Sequence, residues 1–262
     1  MKKILILTLI LSVALMLASC SDNASSNQSS NQESTEETEK VSQGLELQYF
    51  EEIDAYVVVG MGTCDDTDVV VPSEYEGKDV CYIINMYSET MKSVKIPSSV
   101  KGIVNGAFEN CTSLESVVME DGVEEIQSSA FAYCTSLKSV VISGKLNKMG
   151  TNCFIYCESL ESVVFNQGAT HIGYKAFNYC SSLKSVILPN TIETIESDAF
   201  ADCDSLKELI IPASVTCINA AAMPFNNDEL IVYCEAKEKP EEWAENWNSQ
   251  LSDNQIVWGY TK

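Results

Sequence analysis

The stretch AFAYCTSLKSVVI, Ala130–Ile142, is written five times in this chain with small changes. A small residue and a Phe come first, then two variable positions, a Cys, and a Leu ahead of a Val-rich run. The other copies are AFENCTSLESVVM (Ala107–Met119), CFIYCESLESVVF (Cys153–Phe165), AFNYCSSLKSVIL (Ala176–Leu188) and AFADCDSLKELII (Ala199–Ile211). Phe108, Phe131, Phe154, Phe177 and Phe200 are each 23 residues apart. The same spacing holds for Cys111 to Cys203, Leu114 to Leu206, Ile103 to Ile195 and Val117 to Leu209. Columns locked to one period are the signature of a repeat architecture. One unit cannot bury its own apolar face, but stacked units bury each Leu, Val, Ile and Phe on its counterpart next door. Val140 and Ile142 alternate with Ser139 and Val141, which is strand period. The prediction is a solenoid with a parallel sheet, rungs ~4.8 Å apart, one continuous core and no central cavity.

Outward from the regular units the pattern decays, as a stack that must stop requires. On the N-terminal side Val80, Met91, Val94 and Ile96 keep the register, while Asn85 and Ser88 stand where Phe and Cys are expected. On the C-terminal side the pattern fades through AAMPFNNDELIVY (Ala221–Tyr233). Leu45 to Lys78 is expected to form a β cap, with strands at AYVVVG and DVVVP joined by the turn TCDDTD. The C-terminal cap is expected to hold a strand at LIVYC, a helix at KPEEWAENWN and a last strand at QIVWGY. Pro240 suits a first helical turn, and Trp243 and Trp247, at i and i+4, are placed to cover the open end of the core.

The pattern AFxxCxSLxSVxI at a spacing of 23 resembles leucine-rich repeats, and within them the BspA-like subclass of bacterial surface proteins. The likeness runs from Val80 to Ile218, and the flanks DTDVVVPSEYEGKDV and YCEAKEKPEEWAENWN…VWGY resemble the same family. It implies a leucine-rich-repeat-like, right-handed β-rich coil of 23-residue units with N- and C-terminal caps. It also implies surface display or secretion, and attachment to proteins or other cells.

The first residues are a targeting segment. MKK is a positive n-region and ILILTLILSVALML an apolar h-region, short for a membrane span. LASC (Leu17–Cys20) resembles the lipobox of bacterial lipoproteins. That resemblance implies cleavage before Cys20 and diacylglycerol on its thiol. Ser21 to Gly44 is Ser, Asn, Gln, Thr and Glu with no aromatic residue, a tether that cannot bury enough surface to order itself. The expected division is 1–20 signal peptide, 21–44 disordered tether, 45–79 N-terminal β cap, 80–225 solenoid and 226–262 C-terminal cap.

Composition bounds the partners. Lys and Arg number 16 against 38 Asp and Glu, a net charge of −22, which repels phosphate backbones and anionic lipid. Nucleic acid is therefore not an expected partner, and membrane contact is expected through the lipid anchor only. Ten cysteines remain besides Cys20. Extracytoplasmic cysteines suggest disulfides, but this fold has a core of its own, and Cys packs as a small buried hydrophobe. Cys153 occupies the place of Ala107, Ala130, Ala176 and Ala199, which favours buried free thiols over a disulfide ladder. No CxxC pair with a nearby His offers zinc geometry. The single histidine, His171, shares a column with Gly102, Glu125, Lys148 and Thr194 that reads as solvent-facing. CDDTDV at Cys64 lacks the length and the Gly of a calcium loop. GxSxG, P-loop, HExxH and GxGxxG motifs do not occur. No catalytic, metal or cofactor site is expected.

Exposed columns remain. Val118, Val141, Val164, Ile187 and Ile210 lie between inward positions and should form an outward apolar stripe about 19 Å long, rimmed by Ser116, Ser139, Ser162 and Ser185 and ended by Lys95. Branched residues favour strands whichever way they face, so β-propensity accounts for the column equally well. Tyr133, Tyr156 and Tyr179 form a second candidate face, with packing at an edge as the other explanation. Lys92, Glu115, Lys138, Glu161, Lys184 and Lys207 share one position and read as register keepers. The expected function is a lipid-anchored, surface-displayed, non-catalytic binding or adhesion module for a protein or glycan on another cell, host matrix or the same envelope. The alternatives are a surface carbohydrate-active enzyme and a structural envelope spacer.

Overall fold

The structure is a computed structural model that describes residues 40–224, 227–249 and 251–261; Cys20 and most of the tether lie outside the described residues. It is a β-solenoid. Each turn carries one long strand and one two-residue strand, because the repeat holds two inward-facing apolar sites separated by turns. The long strands Asp68–Val70, Ser93–Ile96, Ser116–Met119, Ser139–Ile142, Ser162–Phe165 and Ser185–Ile187 form one parallel sheet. A second sheet joins the N-terminal strands Glu46–Phe50, Ala55–Gly60 and Lys78–Ile83 to Gly102–Ile103, Glu125–Ile126 and Lys148–Met149. Register across the units is direct, Val117 on Val140 on Val163 on Val186. Each slip of one residue would turn the inward Val to solvent.

The core is one cluster running the length of the coil. Its axis is a column of five phenylalanines with ring centroids 4.8, 5.0, 5.2 and 5.7 Å apart and planes within 8°. All ten described cysteines are free thiols, and the five of the repeat column are fully buried. Their sulfurs also bind. Cys134, Cys157, Cys180 and Cys203 donate to the carbonyls of Phe108, Phe131, Phe154 and Phe177 in the preceding unit at 3.2, 3.3, 3.2 and 3.2 Å. A Cys at this position is small enough for the core and polar enough to satisfy a second lone pair of a buried carbonyl.

The terminal units depart from the sequence reading in three places. Ile83, not Val80, pairs with Ile103. Met86, not Asn85, takes the Phe place, since its N–H donates to the Ala107 carbonyl and its own carbonyl accepts from Cys111 at 3.5 Å. This first unit is shorter at that corner, so a fixed spacing of 23 misses Ile83 by three positions and Met86 by one. The helix expected at KPEEWAENWN is absent; the segment runs through turns. Ala244 N–H donates to Ile218 at 2.8 Å, and the Asn246 carbonyl accepts from Ala221 at 3.0 Å. The backbone thus continues the rungs of the solenoid, and a helix would withdraw those groups into its own i→i−4 bonds. Trp243 and Trp247 are buried over the end of the core as expected, edge to face at 5.0 Å, with Trp258 at 5.8 and 6.3 Å. The strands Ile231–Cys234 and Ile256–Trp258 fall where LIVYC and QIVWGY place them.

Both sheets are interrupted. The long-strand sheet stops at Ser185–Ile187 and resumes as Glu208–Ile211, Ile231–Cys234 and Ile256–Trp258. In an earlier unit the N–H of Asn166 closes the rung by donating to Ile142 at 3.0 Å. Across the break the corresponding position is Pro212, which has no N–H to give to Leu188; Pro97 and Pro189 stand at the same position where the strands still pair with the preceding ones. The second sheet stops at Lys148–Met149 and resumes at His171–Ile172. Gly150 and Gly173 follow those strands; a Cβ on Gly173 would lie 2.3 Å from the Met149 carbonyl, so only glycine permits the close approach there.

Candidate functional site

The outward face of the long-strand sheet bears the predicted stripe. Parallel pairing puts Lys95, Val118, Val141, Val164 and Ile187 in one line, and Ile210, Tyr233 and Val257 in a second. Val118 is 41% and Ile187 58% exposed, while Val141, Val164 and Ile210 are half-buried by their neighbours in the row. The sheet interruption falls between Ile187 and Ile210, and Ile187, at that edge, is the most exposed residue of the row. Tyr233 and Val257 extend the row beyond the five predicted residues. The spacing of 23 from Ile210 to Tyr233 carried that signal, hidden by the fading of the other columns. At the other end Lys95 is ion-paired with Glu120 at 3.4 Å, which gives the apolar row a charged border.

Tyr133, Tyr156 and Tyr179 also come together. Their rings stack at 5.1 and 4.5 Å with planes within 9°, beside the Cys column. All three have left-handed backbones, φ 61°, 58° and 59°. Stacking covers the ring faces between rungs, so the column offers edges and hydroxyls to solvent.

The charged column lies beside the stripe; Glu115, Lys138, Glu161 and Lys184 pair within it, while Lys207 pairs with Glu229 outside it. Lys138 meets Glu115 at 2.5 Å, Lys184 meets Glu161 at 2.9 Å and Lys207 meets Glu229 at 3.1 Å. The lysine hydrogen bonds hold the Glu115 and Glu161 carboxyls below their ordinary value. The two pairs within the column each join one unit to the next, which fits a register role.

His171 is not on an open face. It is half-buried on the second sheet, 4.0 Å from Glu196, and burial lowers its pKa. Gly102 of the same column is buried beneath the Tyr82 ring, and the Glu125 side chain is only 16% exposed. The solvent-facing reading of that column thus holds for Lys148, whose side chain is 62% exposed, and is corrected for Gly102, Glu125 and His171. No group of three or more His, Cys, Asp or Glu among the described residues is arranged to hold a metal ion. Burial raises the column thiols, Cys111 to about 11 and Cys157 to about 12, so they are neutral and unreactive at ordinary pH. No helix among the described residues is long and apolar enough to cross a membrane.

The family model for the BspA type leucine rich repeat region matches residues 84–182 and 170–239, with six copies. Among solved structures the chain is similar to a leucine rich cell surface protein from Faecalibacterium prausnitzii, at 26% identity and a TM-score of 0.62, covering 79% of this chain and 56% of that one. A leucine-rich repeat protein from Bacteroides ovatus matches at 26% identity and a TM-score of 0.56, covering 78% and 57%. The leucine rich repeat protein of T. pallidum, at 24% identity and a TM-score of 0.59, covers 81% of this chain and 90% of that one, and shows the fold. The chain thus spans little more than half the length of the first and second of these neighbours. A search of curated proteins returns no match.

Proposed function

The chain belongs to the BspA-type leucine-rich repeat family, and from that premise we propose that it is a lipid-anchored, cell-surface binding module without catalysis of its own. The observation that carries this reading is the apolar row from Val118 to Ile187 on an outward sheet face. Parallel sheets ordinarily have both faces covered; here the outer face presents branched side chains to solvent, with a serine rim and a charged border at Lys95. Such a patch on a bacterial surface fits contact with a protein on another cell, host matrix or the same envelope. LASC at Leu17–Cys20 supports anchoring at the Cys20 thiol, and the polar segment behind it supports display away from the membrane.

Two experiments test the reading. Val141→Lys combined with Val164→Lys should leave folding intact, because both side chains point outward, and should abolish capture of the surface partner in a pull-down. Unfolding of the double variant would show the strand face inverted, and retained capture would place the ligand elsewhere. Cys20→Ser should release the protein from the membrane fraction or leave it uncleaved; unchanged fractionation and migration would refute the anchor.

A further inference from the structure

We infer that the N-terminal cap carries a separate site for a neutral oligosaccharide, distinct from the sheet face proposed above for a protein. A cavity of about 420 Å³ opens in the cap, between the chain entering at Val41–Leu45 and the turn at Pro72–Tyr75. Its size is within the ~300–1,000 Å³ of small-molecule sites. Leu45, Leu47 and Pro72 give it apolar wall; Ser73 and Glu74 give it hydrogen-bonding groups; Tyr75 stands at its side.

Tyr75 begins an aromatic row that leaves the cavity. Tyr56 lies edge-on to it at 4.9 Å and 79°, and Tyr49 lies 5.4 Å further at 56°. Tyr49 and Tyr75 are each 42% exposed. Sugar rings bind over aromatic faces and hydrogen-bond through their hydroxyls to carboxylates beside them. The two tyrosine groups of this protein differ on that point. Tyr133, Tyr156 and Tyr179 are stacked flat and hide their faces from each other. In the cap the rings are tilted, so an edge-on contact covers at most one face of either partner. Two of the three cap rings are braced by a carboxylate: the Tyr56 hydroxyl donates to Glu76 at 2.6 Å, and the Tyr49 hydroxyl to Asp54 at 2.5 Å; Tyr75 is held by its edge contact with Tyr56. A row whose rotamers are already fixed loses little freedom on binding.

The charges select the sugar class. Asp54 is ion-paired with Lys78 at 2.6 Å and Glu76 accepts a hydrogen bond from Tyr56, so both of these carboxylates already serve to hold the row. Glu74 and the net charge of −22 repel sulfated or uronic chains. A neutral oligosaccharide of a few rings, seated in the cavity and running over Tyr75 toward Tyr49, meets all of these conditions.

The test is a glycan array probed with the full-length protein in detergent, followed by calorimetric titration of the best neutral oligosaccharide. Tyr75→Ala and Glu74→Gln should each weaken binding about tenfold or more, with the protein still folded: Glu74 is exposed, and Tyr75 gives up only its edge contact with Tyr56 outside the main core. The Val141→Lys and Val164→Lys double variant should bind the sugar as the parent does, so this site and the sheet site fail independently. Three results would overturn the inference: retention of no neutral glycan by the parent, an unchanged Kd in folded Tyr75→Ala, or tighter binding of a sulfated glycan or a lysine-rich peptide at the cap.

Discussion

The phenylalanine column makes a differential prediction. Phe154 stacks on Phe131 at 5.0 Å and on Phe177 at 5.2 Å, whereas among the described residues Phe200 stacks only on Phe177, at 5.7 Å. All four are fully buried. Replacing either Phe154 or Phe200 by Leu removes a ring and leaves an aliphatic side chain of smaller but related volume. The transfer and cavity losses are then of the same kind at both sites. What differs is one stacked pair, about 0.5–1.5 kcal/mol beyond area burial. With a slope of about 2 kcal/mol/M in urea, Phe154→Leu should lower the unfolding midpoint by roughly 0.25–0.75 M more than Phe200→Leu. Interior and end units of a solenoid also differ in how many interfaces they support. Leu160→Ala and Leu206→Ala, in the same two units and equally buried, measure that difference so it can be subtracted. Urea titration followed by far-UV circular dichroism reads all four variants. If Phe200→Leu is as damaging as Phe154→Leu after the subtraction, the column contributes volume alone and stacking contributes nothing.

The thiols should respond to alkylation by burial: native protein labels at half-exposed Cys64, Cys81 and Cys217, and denatured protein labels at the remaining described cysteines without any reductant. Mass shifts showing paired cysteines would reverse the free-thiol reading. Glu161→Lys breaks the pair with Lys184 and sets like charges in a row from Lys138 to Lys184, so melting temperature should fall in low salt and recover as salt screens the row. The Glu115 and Glu161 carboxyls have lowered folded pKa values. Their pairs therefore stabilise the fold above the ordinary carboxylate pKa and lose that contribution as pH falls through the lowered values. The gap between Glu161→Lys and the parent should accordingly narrow in acid; a gap that is absent at low salt and neutral pH removes the column from the stability argument.

The solenoid was legible because its signal is translational. A residue such as Val140 need only match Val117 and Val163, and the direct register of the sheet is the spacing of 23 made spatial. Where translation fails, so does the reading. The first unit shortens one corner, and counting back by a fixed period lands on Asn85 and Val80 while the chain uses Met86 and Ile83. In KPEEWAENWN, Trp243 and Trp247 are spaced for a helix, but the same spacing serves a turn whose backbone is claimed by Ile218 and Ala221. Side-chain pattern cannot choose between two paths when the open end of a stack supplies the hydrogen bonds for one of them. The cap aromatics were illegible for a related reason. Tyr49, Tyr56 and Tyr75 recur at no period, and only the pairing of Ala55–Gly60 with both Glu46–Phe50 and Lys78–Ile83 brings their strands together.

The stacked tyrosines show how far stability explains a surface column. Position 110 of the repeat is left-handed in every regular unit: Asn110, Tyr133, Tyr156, Tyr179 and Asp202 all have φ between 58° and 61°. Asn and Asp enter that region readily, whereas a bulky side chain there costs about 1–2 kcal/mol. Three tyrosines therefore carry roughly 3–6 kcal/mol of backbone strain, while two stacked pairs return about 1–3 kcal/mol. Asn in all three places would serve the fold as well or better. A strained, half-exposed residue that the fold does not require is a reason to look for function at that place. The same comparison applied to the Val118–Ile187 row finds no strain, only branched residues in strands that favour them. The row stands first for its apolar, uncovered area, and the tyrosines stand second for their cost. A partner that survives Val141→Lys with Val164→Lys is therefore to be sought along the edges and hydroxyls of Tyr133, Tyr156 and Tyr179.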